Sequence, residues 1–192
     1  MILDDIVEKR RIQLAREISA TGREEMKRLA LEAAAASTDR TAISFARALA
    51  ADGLSIIAEV KKASPSKGLI QPDFRPAETA AAYERSGASA ISVLTEEAYF
   101  QGGSEYLKQV REVVALPILR KDFIFDDYQI YEAKVIGADA VLLIVAILSD
   151  EEIRSFMALA ASLGLDALVE VHDEAEMARA IATDPELLLL DE

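Results

Sequence analysis

Three segments of this chain repeat one pattern: a glycine, one or two small or polar residues, then an apolar run. They are Gly87-Ala88-Ser89-Ala90-Ile91, Gly137-Ala138-Asp139-Ala140-Val141 and Gly164-Leu165-Asp166-Ala167-Leu168. Each follows a stretch rich in helix formers, and glycine ends a helix well because it takes the left-handed conformation without a steric penalty. The glycines are 50 and then 27 residues apart, which fits two helix-plus-strand units followed by one, with the skipped unit at Leu116 to Lys121. Strands are predicted at 55–61, 89–94, 117–122, 139–145, 166–171 and 187–190. Helices are predicted from Pro76 to Ser86, with proline suited to the first turn, from Asp127 to Ile136, and from Asp150 to Leu163, with Ser149 or Asp150 as its cap. A run such as Ala140-Val141-Leu142-Leu143-Ile144-Val145 is apolar on both strand faces. That is the mark of a parallel sheet covered by helices, so the fold class is α/β.

About fifty residues of helical character precede the first strand. Leu3, Val7, Leu14 and Ile18 share one face, and Lys9, Arg10 and Arg16 lie off that stripe and read as a solvated basic face. Gly22 and the stretch Ser37-Thr38-Asp39 divide the region into at least two helices. No polar linker separates a second domain, so residues 1–50 read as a helical extension and 51–192 as βα units of one domain.

Composition removes several classes of chemistry. With no cysteine and a single histidine, His172, the 192-residue chain has no thiolate nucleophile, no disulfide and no multi-histidine metal site. A formal charge of −13 argues against a nucleic-acid partner, which requires a basic footprint. No apolar run approaches the ~18 residues needed to span a bilayer, and the early Asp4, Asp5 and Glu8 do not fit a signal peptide. A soluble cytoplasmic protein with no membrane partner is expected.

The first strand carries the chemistry. In Ile56-Ile57-Ala58-Glu59-Val60-Lys61, alternation puts Glu59 and Lys61 on the face of Ile57, while Ala58 and Val60 take the other. Such a pair is either an active group or the solvated edge of a sheet. Further charges stand at the C-terminal ends of later strands, Lys121 on the third and Glu170 on the fifth. In a closed (β/α)8 barrel these ends converge on one mouth. An open doubly wound sheet would show a glycine-rich turn after its first strand, whereas this chain has Ser64-Pro65-Ser66-Lys67-Gly68. The barrel is therefore the expected architecture.

These residues resemble the indole-3-glycerol-phosphate synthase family of tryptophan biosynthesis. The resemblance is carried by Ile56-Ile57, Glu59, Lys61 and Ser64-Pro65-Ser66, by Ile91-Ser92-Val93-Leu94-Thr95-Glu96 with Tyr99-Phe100, and by Pro117 to Phe123. Val141 to Val145, Leu168-Val169-Glu170-Val171-His172 and the N-terminal Ile2-Leu3 agree with it. It implies a carboxy-lyase that needs no cofactor or metal and acts on a small sugar-phosphate substrate. Its reaction closes the ring of 1-(2-carboxyphenylamino)-1-deoxyribulose 5-phosphate, then releases carbon dioxide and water to give indole-3-glycerol phosphate.

By the same resemblance, Lys121 is the expected general acid, Glu170 the base, Glu59 an orienting or assisting carboxylate, and Lys61 the ligand of an anionic group. The residues themselves do not divide the duties of Lys61 and Lys121. Ser64 either donates to a substrate oxygen or caps its own turn. Phe100 and Phe123 either form an apolar slot for the anthranilate ring or pack in the core. His172 reads as a strand-end residue, Asp122 as ordering the loop around Lys121, and Glu96 with Glu97 as a poor glycosidase pair, because neighbours on a strand face opposite ways.

Eight units typically take about 250 residues. Here the sequence ends at the sixth strand, where Leu187-Leu188-Leu189-Leu190-Asp191-Glu192 replaces the family's Asn-Asn-Arg block, and the later strands of the phosphate cradle are absent. The expectation is a partial barrel with impaired turnover that self-associates through open sheet edges. The alternative is a noncatalytic interaction or scaffold protein.

Overall fold

The computed structural model describes residues 2–36 and 44–191. Three helices come first: α1 (Ile2–Ala20), α2 (Arg23–Ala36) and α3 (Phe45–Leu49). The predicted break at Gly22 falls between α1 and α2, and Ser37-Thr38-Asp39 lies outside the described residues. Strand β1 (Ile57–Val60) is followed by a short antiparallel hairpin, β2 (Ala63–Ser64) with β3 (Gly68–Leu69), that hydrophobic patterning does not announce. The βα units follow as α4 (Pro76–Arg85), β4 (Ala90–Leu94), α5 (Ser104–Val113), β5 (Ile118–Lys121), α6 (Asp127–Ile136) and β6 (Ala140–Ile144). A 3-10 turn at Val145–Ile147, α7 (Asp150–Ser162), β7 (Asp166–Val171), α8 (Glu174–Ile181) and β8 (Leu187–Leu190) complete the order.

Six strands form one parallel sheet in the order β1-β4-β5-β6-β7-β8, the progression of a (β/α)8 barrel traced through six of its strands. Gly87, Gly137 and Gly164, the repeat's own glycines, all adopt positive φ at the ends of their helices. No helix among the described residues is long and apolar enough to cross a membrane.

Strand alternation sorts the core into two layers. Val60, Ile91, Val93, Ile118, Val141, Leu143 and Val169 face the helices, while Ala90, Leu119, Leu142, Ile144 and Leu168 gather on the inner face with Ile57 and Phe45. Fully burying one such aliphatic side chain is worth roughly 1.5–3 kcal/mol. Val145, predicted to extend its strand, begins the 3-10 turn instead.

The cap of α7 is Ser149, whose hydroxyl accepts from the Glu152 N–H while the Glu152 carboxylate accepts from the Ser149 N–H. Ser149→Ala removes one arm of this box and should cost about 1 kcal/mol, read from the urea midpoint.

One expectation about α1 is corrected. Lys9 and Arg16 are exposed, but Arg10 is wholly buried, and the inward face runs Ile6, Arg10, Gln13, Leu14. A guanidinium can go inward here because acidic partners await it just past β5 and on α1 itself. Tyr128 of α6 holds α1 from beyond its last turn, its hydroxyl lying 3.0 Å from the carbonyl oxygens of both Glu17 and Thr21.

Candidate active site

The C-terminal ends of β1, β4, β5 and β7 open onto one cavity of about 590 Å³, whose walls include Glu59, Lys61, Lys121 and Glu170. Residues 111 positions apart in sequence are thus brought to one mouth by parallel pairing. A hollow of about 610 Å³ at the opposite ends of the strands, bounded by Asp139, Asp166 and Arg154, holds none of these four groups. The chemistry points to the first.

Glu59 is the hub. Its Oε2 accepts from Lys121 Nζ at 2.9 Å, and its Oε1 is in short contact with Lys61 Nζ. Burial favours the neutral carboxyl, but the two ammoniums outweigh it and hold the Glu59 pKa below the ordinary value. Burial pulls Lys121 down, and Glu59, Glu170 and Asp191 together carry it above the usual lysine value. Lys121 is therefore a protonated donor at neutral pH. β1 is an edge strand of the sheet, yet its charges are only about 30% exposed and turn into the cavity.

Glu170, near the end of β7, has a side chain 6% exposed and an Oε2 with no hydrogen-bond partner. Desolvation, the largest influence, raises its pKa despite Lys121 nearby. An acid held charged and a carboxylate made more basic therefore stand in one pocket.

The apolar part of the cavity is built by Phe100 and Phe123, whose ring centroids are 6.0 Å apart, and by Ile2, Leu3 and Ile6 of α1. Sequence patterning assigned the α1 residues no such place, because an apolar side chain at helical spacing looks the same over a core or over a pocket.

Phe100 is fixed by Glu96. That buried carboxylate accepts the backbone N–H groups of Ala98, Tyr99 and Phe100 at 2.7, 2.8 and 3.0 Å, while Glu97 turns outward to Arg16. The two glutamates thus face opposite ways, and Glu96 is spent on holding a loop. Gly102 closes that loop so tightly that a Cβ there would lie 2.4 Å from the Leu94 carbonyl oxygen. Gly102→Ala should destabilise by about 1–3 kcal/mol, seen as a lowered thermal midpoint.

Ser64 does not line the cavity. Its hydroxyl accepts from the Lys67 N–H at 3.2 Å, the turn-capping role. His172 follows β7 at the rim, with Nε2 3.3 Å from Glu170 and Nδ1 3.2 Å from Glu176. Glu170, His172 and Asp191 offer ligand atoms within 4.8 Å of one another, the grouping among the described residues with metal-like spacing. Asp122, expected to order the loop around Lys121, accepts the Phe123 N–H and is also the centre of a buried ionic cluster behind β5.

The family model for indole-3-glycerol phosphate synthase matches residues 3–190. The chain belongs to the indole-3-glycerol phosphate synthase family. Curated members include one from Neisseria meningitidis serogroup C, 52% identical over 177 residues, covering 92% of this chain and 67% of that protein. One from Lachnospira eligens is 52% identical over 188 residues, covering 98% and 68%. One from Acetivibrio thermocellus is 48% identical over 193 residues, covering 98% and 71%. The chain spans about two thirds of the length of these synthases. Among solved structures, an N-acetylmannosamine-6-phosphate 2-epimerase from Clostridium perfringens aligns with TM-score 0.53 at 14% identity, covering 70% of this chain and 60% of that one. A methylornithine synthase aligns with TM-score 0.55 at 13% identity, covering 93% and 62%. At such identities these two speak for the fold alone.

Proposed function

We propose that the mouth formed by Glu59, Lys61, Lys121 and Glu170 carries out the synthase reaction on 1-(2-carboxyphenylamino)-1-deoxyribulose 5-phosphate. The observation that supports it best is the pairing, in one cavity, of an ammonium held protonated by Glu59 with a buried carboxyl of raised pKa.

Ring closure puts negative charge on the ketone oxygen as the aromatic carbon bonds to the ketone carbon, and Lys121 donates the proton that turns that oxygen into a hydroxyl. Loss of carbon dioxide restores the aromatic ring. Lys121, recharged with a proton from solvent, protonates the hydroxyl so that it departs as water, while Glu170 takes a proton from the neighbouring ring carbon to form the indole double bond. Glu59 orients Lys121, and Lys61 binds an anionic group of the substrate. Phe100 and Phe123 together offer one apolar wall to the anthranilate ring. Ser64 supports the turn behind Lys61, its hydroxyl oxygen accepting from the Lys67 amide.

The test is to add the substrate and follow indole fluorescence, with Glu170→Gln beside the wild type. Turnover by wild type and its loss in the variant is expected; equal turnover in both removes Glu170 from the mechanism. A cytoplasmic setting belongs to this reading.

A second reading concerns association. β1 and β8 are the two outer strands of the sheet, and Leu188 and Leu190 on β8 are 38% and 59% exposed. Unpaired edges with apolar side chains favour pairing between chains. Light scattering that reports a monomer at micromolar concentration counts against it.

A further inference from the structure

Strand β5 and its exit carry two alternating sets of side chains. Lys121 and Phe123 point into the cavity, while Arg120 and Asp122 point away from it into a buried cluster. Asp122 does face the cavity wall on one side, but its carboxylate is saturated from behind. Oδ1 accepts from Arg10 Nε at 2.9 Å and from the Phe123 N–H at 2.8 Å, and Oδ2 accepts from the Thr95 hydroxyl at 2.7 Å and Arg120 at 3.0 Å. Arg120 is itself held by Thr95, by the Gln129 carbonyl and by Glu132.

Helix α1 therefore grips the strand exits from outside the sheet. Arg10 reaches Asp122, and Gln13 donates to the Thr95 carbonyl at 3.3 Å while accepting the Glu97 N–H at 3.1 Å. The Thr95 N–H in turn donates to the carbonyl of Lys121. The Lys121 carbonyl is thus linked to α1 through Thr95 and Gln13, and the next residue, Asp122, through Arg10. Arg10 touches none of the four cavity charges, so its action on them runs through Asp122.

We infer that Arg10 is a positioning residue for the general acid: through Asp122 it fixes the β5 exit so that Lys121 Nζ meets Glu59 and the substrate oxygen. The inference rests on Lys121 being the acid. Arginine suits the position because its fork binds Asp122 through Nε and Glu17 through Nη1 at once, which a lysine ammonium on the same stem does not reproduce.

The experiment follows the Lys121 side-chain NMR signal through a pH titration, assigned by its loss in K121M, in four proteins: wild type, E59Q, R10M and R10M/E59Q. Three carboxylates face Lys121, from Glu59, Glu170 and Asp191, and only Glu59 is varied. E59Q should lower the Lys121 midpoint in the wild-type background and have little effect in the R10M background, because the Lys121–Glu59 contact is already lost there. A purely structural Arg10 predicts the same E59Q shift in both, and that result overturns the inference.

If R10M does not fold, R10K takes its place, with a reduced E59Q shift expected and an unchanged one again overturning the inference. In the fluorescence assay R10M should lose kcat on the order of 100-fold with much less change in KM, and R10K should recover part of it. Absence of turnover in wild type would strike the synthase reading, while the titration would still decide the role of Arg10.

Discussion

Lys121→Ala should lower kcat by roughly 10²–10⁴, the range of a lost general acid, with KM changed far less. The reason is geometric as well as chemical. Lys121 is the ammonium that Glu59 holds at 2.9 Å, and no other donor on β5 reaches the cavity, because Arg120 faces the buried cluster. Folding should survive, since the Lys121 side chain is 32% exposed and Glu59 keeps Lys61 as a partner. Lys61→Ala should show the opposite division, a raised KM with a smaller loss in kcat, if Lys61 binds the anionic group. Single-turnover fluorescence separates the two. Equal effects of both substitutions on kcat would mean that the two ammoniums share the proton transfer.

The pH profile checks the same assignment. In the proposed mechanism Glu170 works as the deprotonated base, and its pKa is raised, so kcat/KM should climb with pH through a limb lying above the usual carboxylate range. In the same mechanism Lys121 works protonated, and its raised pKa puts the descending limb beyond ordinary lysine titration. The rising limb should therefore vanish in Glu170→Gln while the descending limb remains.

What the sequence made legible was what alternation and spacing encode. The glycine-led repeat marked the parallel units, and charges at strand ends marked a shared mouth, because parallel strands bring their C-terminal ends to one side of the sheet. Glu59, Lys61, Lys121 and Glu170 were found that way, and they line one cavity. Arg10 was not. A basic residue on an amphipathic helix normally stays in water, and what reverses that here is Asp122, 112 residues away, for which no local pattern exists. Glu96 was hidden for a related reason: its carboxylate is satisfied by three backbone N–H groups of its own loop, a geometry that depends on φ and ψ at Ala98 to Phe100 rather than on residue type. Ser64 stood with two readings in the sequence, and its hydroxyl is turned to the Lys67 amide.

The largest stability effect should come from Asp122→Ala, about 3–5 kcal/mol, because it strips a fully buried carboxylate from between two fully buried guanidiniums. A domain with 5–15 kcal/mol in total loses much of its margin by such a change. Asp122→Asn keeps the shape and one acceptor, and so isolates the charge. Burial alone would raise the Asp122 pKa, but Arg10 and Arg120 outweigh it and hold the pKa below the ordinary carboxylate value. The sign follows from linkage. A carboxyl whose pKa is depressed by folding contributes stability that is fully present above its unfolded value, about 3.9, and is lost as pH falls through the depressed folded value. Glu170 acts in the opposite sense, since its raised pKa means that protonation relieves a cost of folding. Comparing wild type with Asp122→Asn cancels that contribution. Urea midpoints measured from pH 7 down to the acid limit should therefore show the gap between the two proteins widest near neutrality and closing below about pH 4. A gap that stays constant through that range would mean that the cluster needs the shape of Asp122 but not its charge.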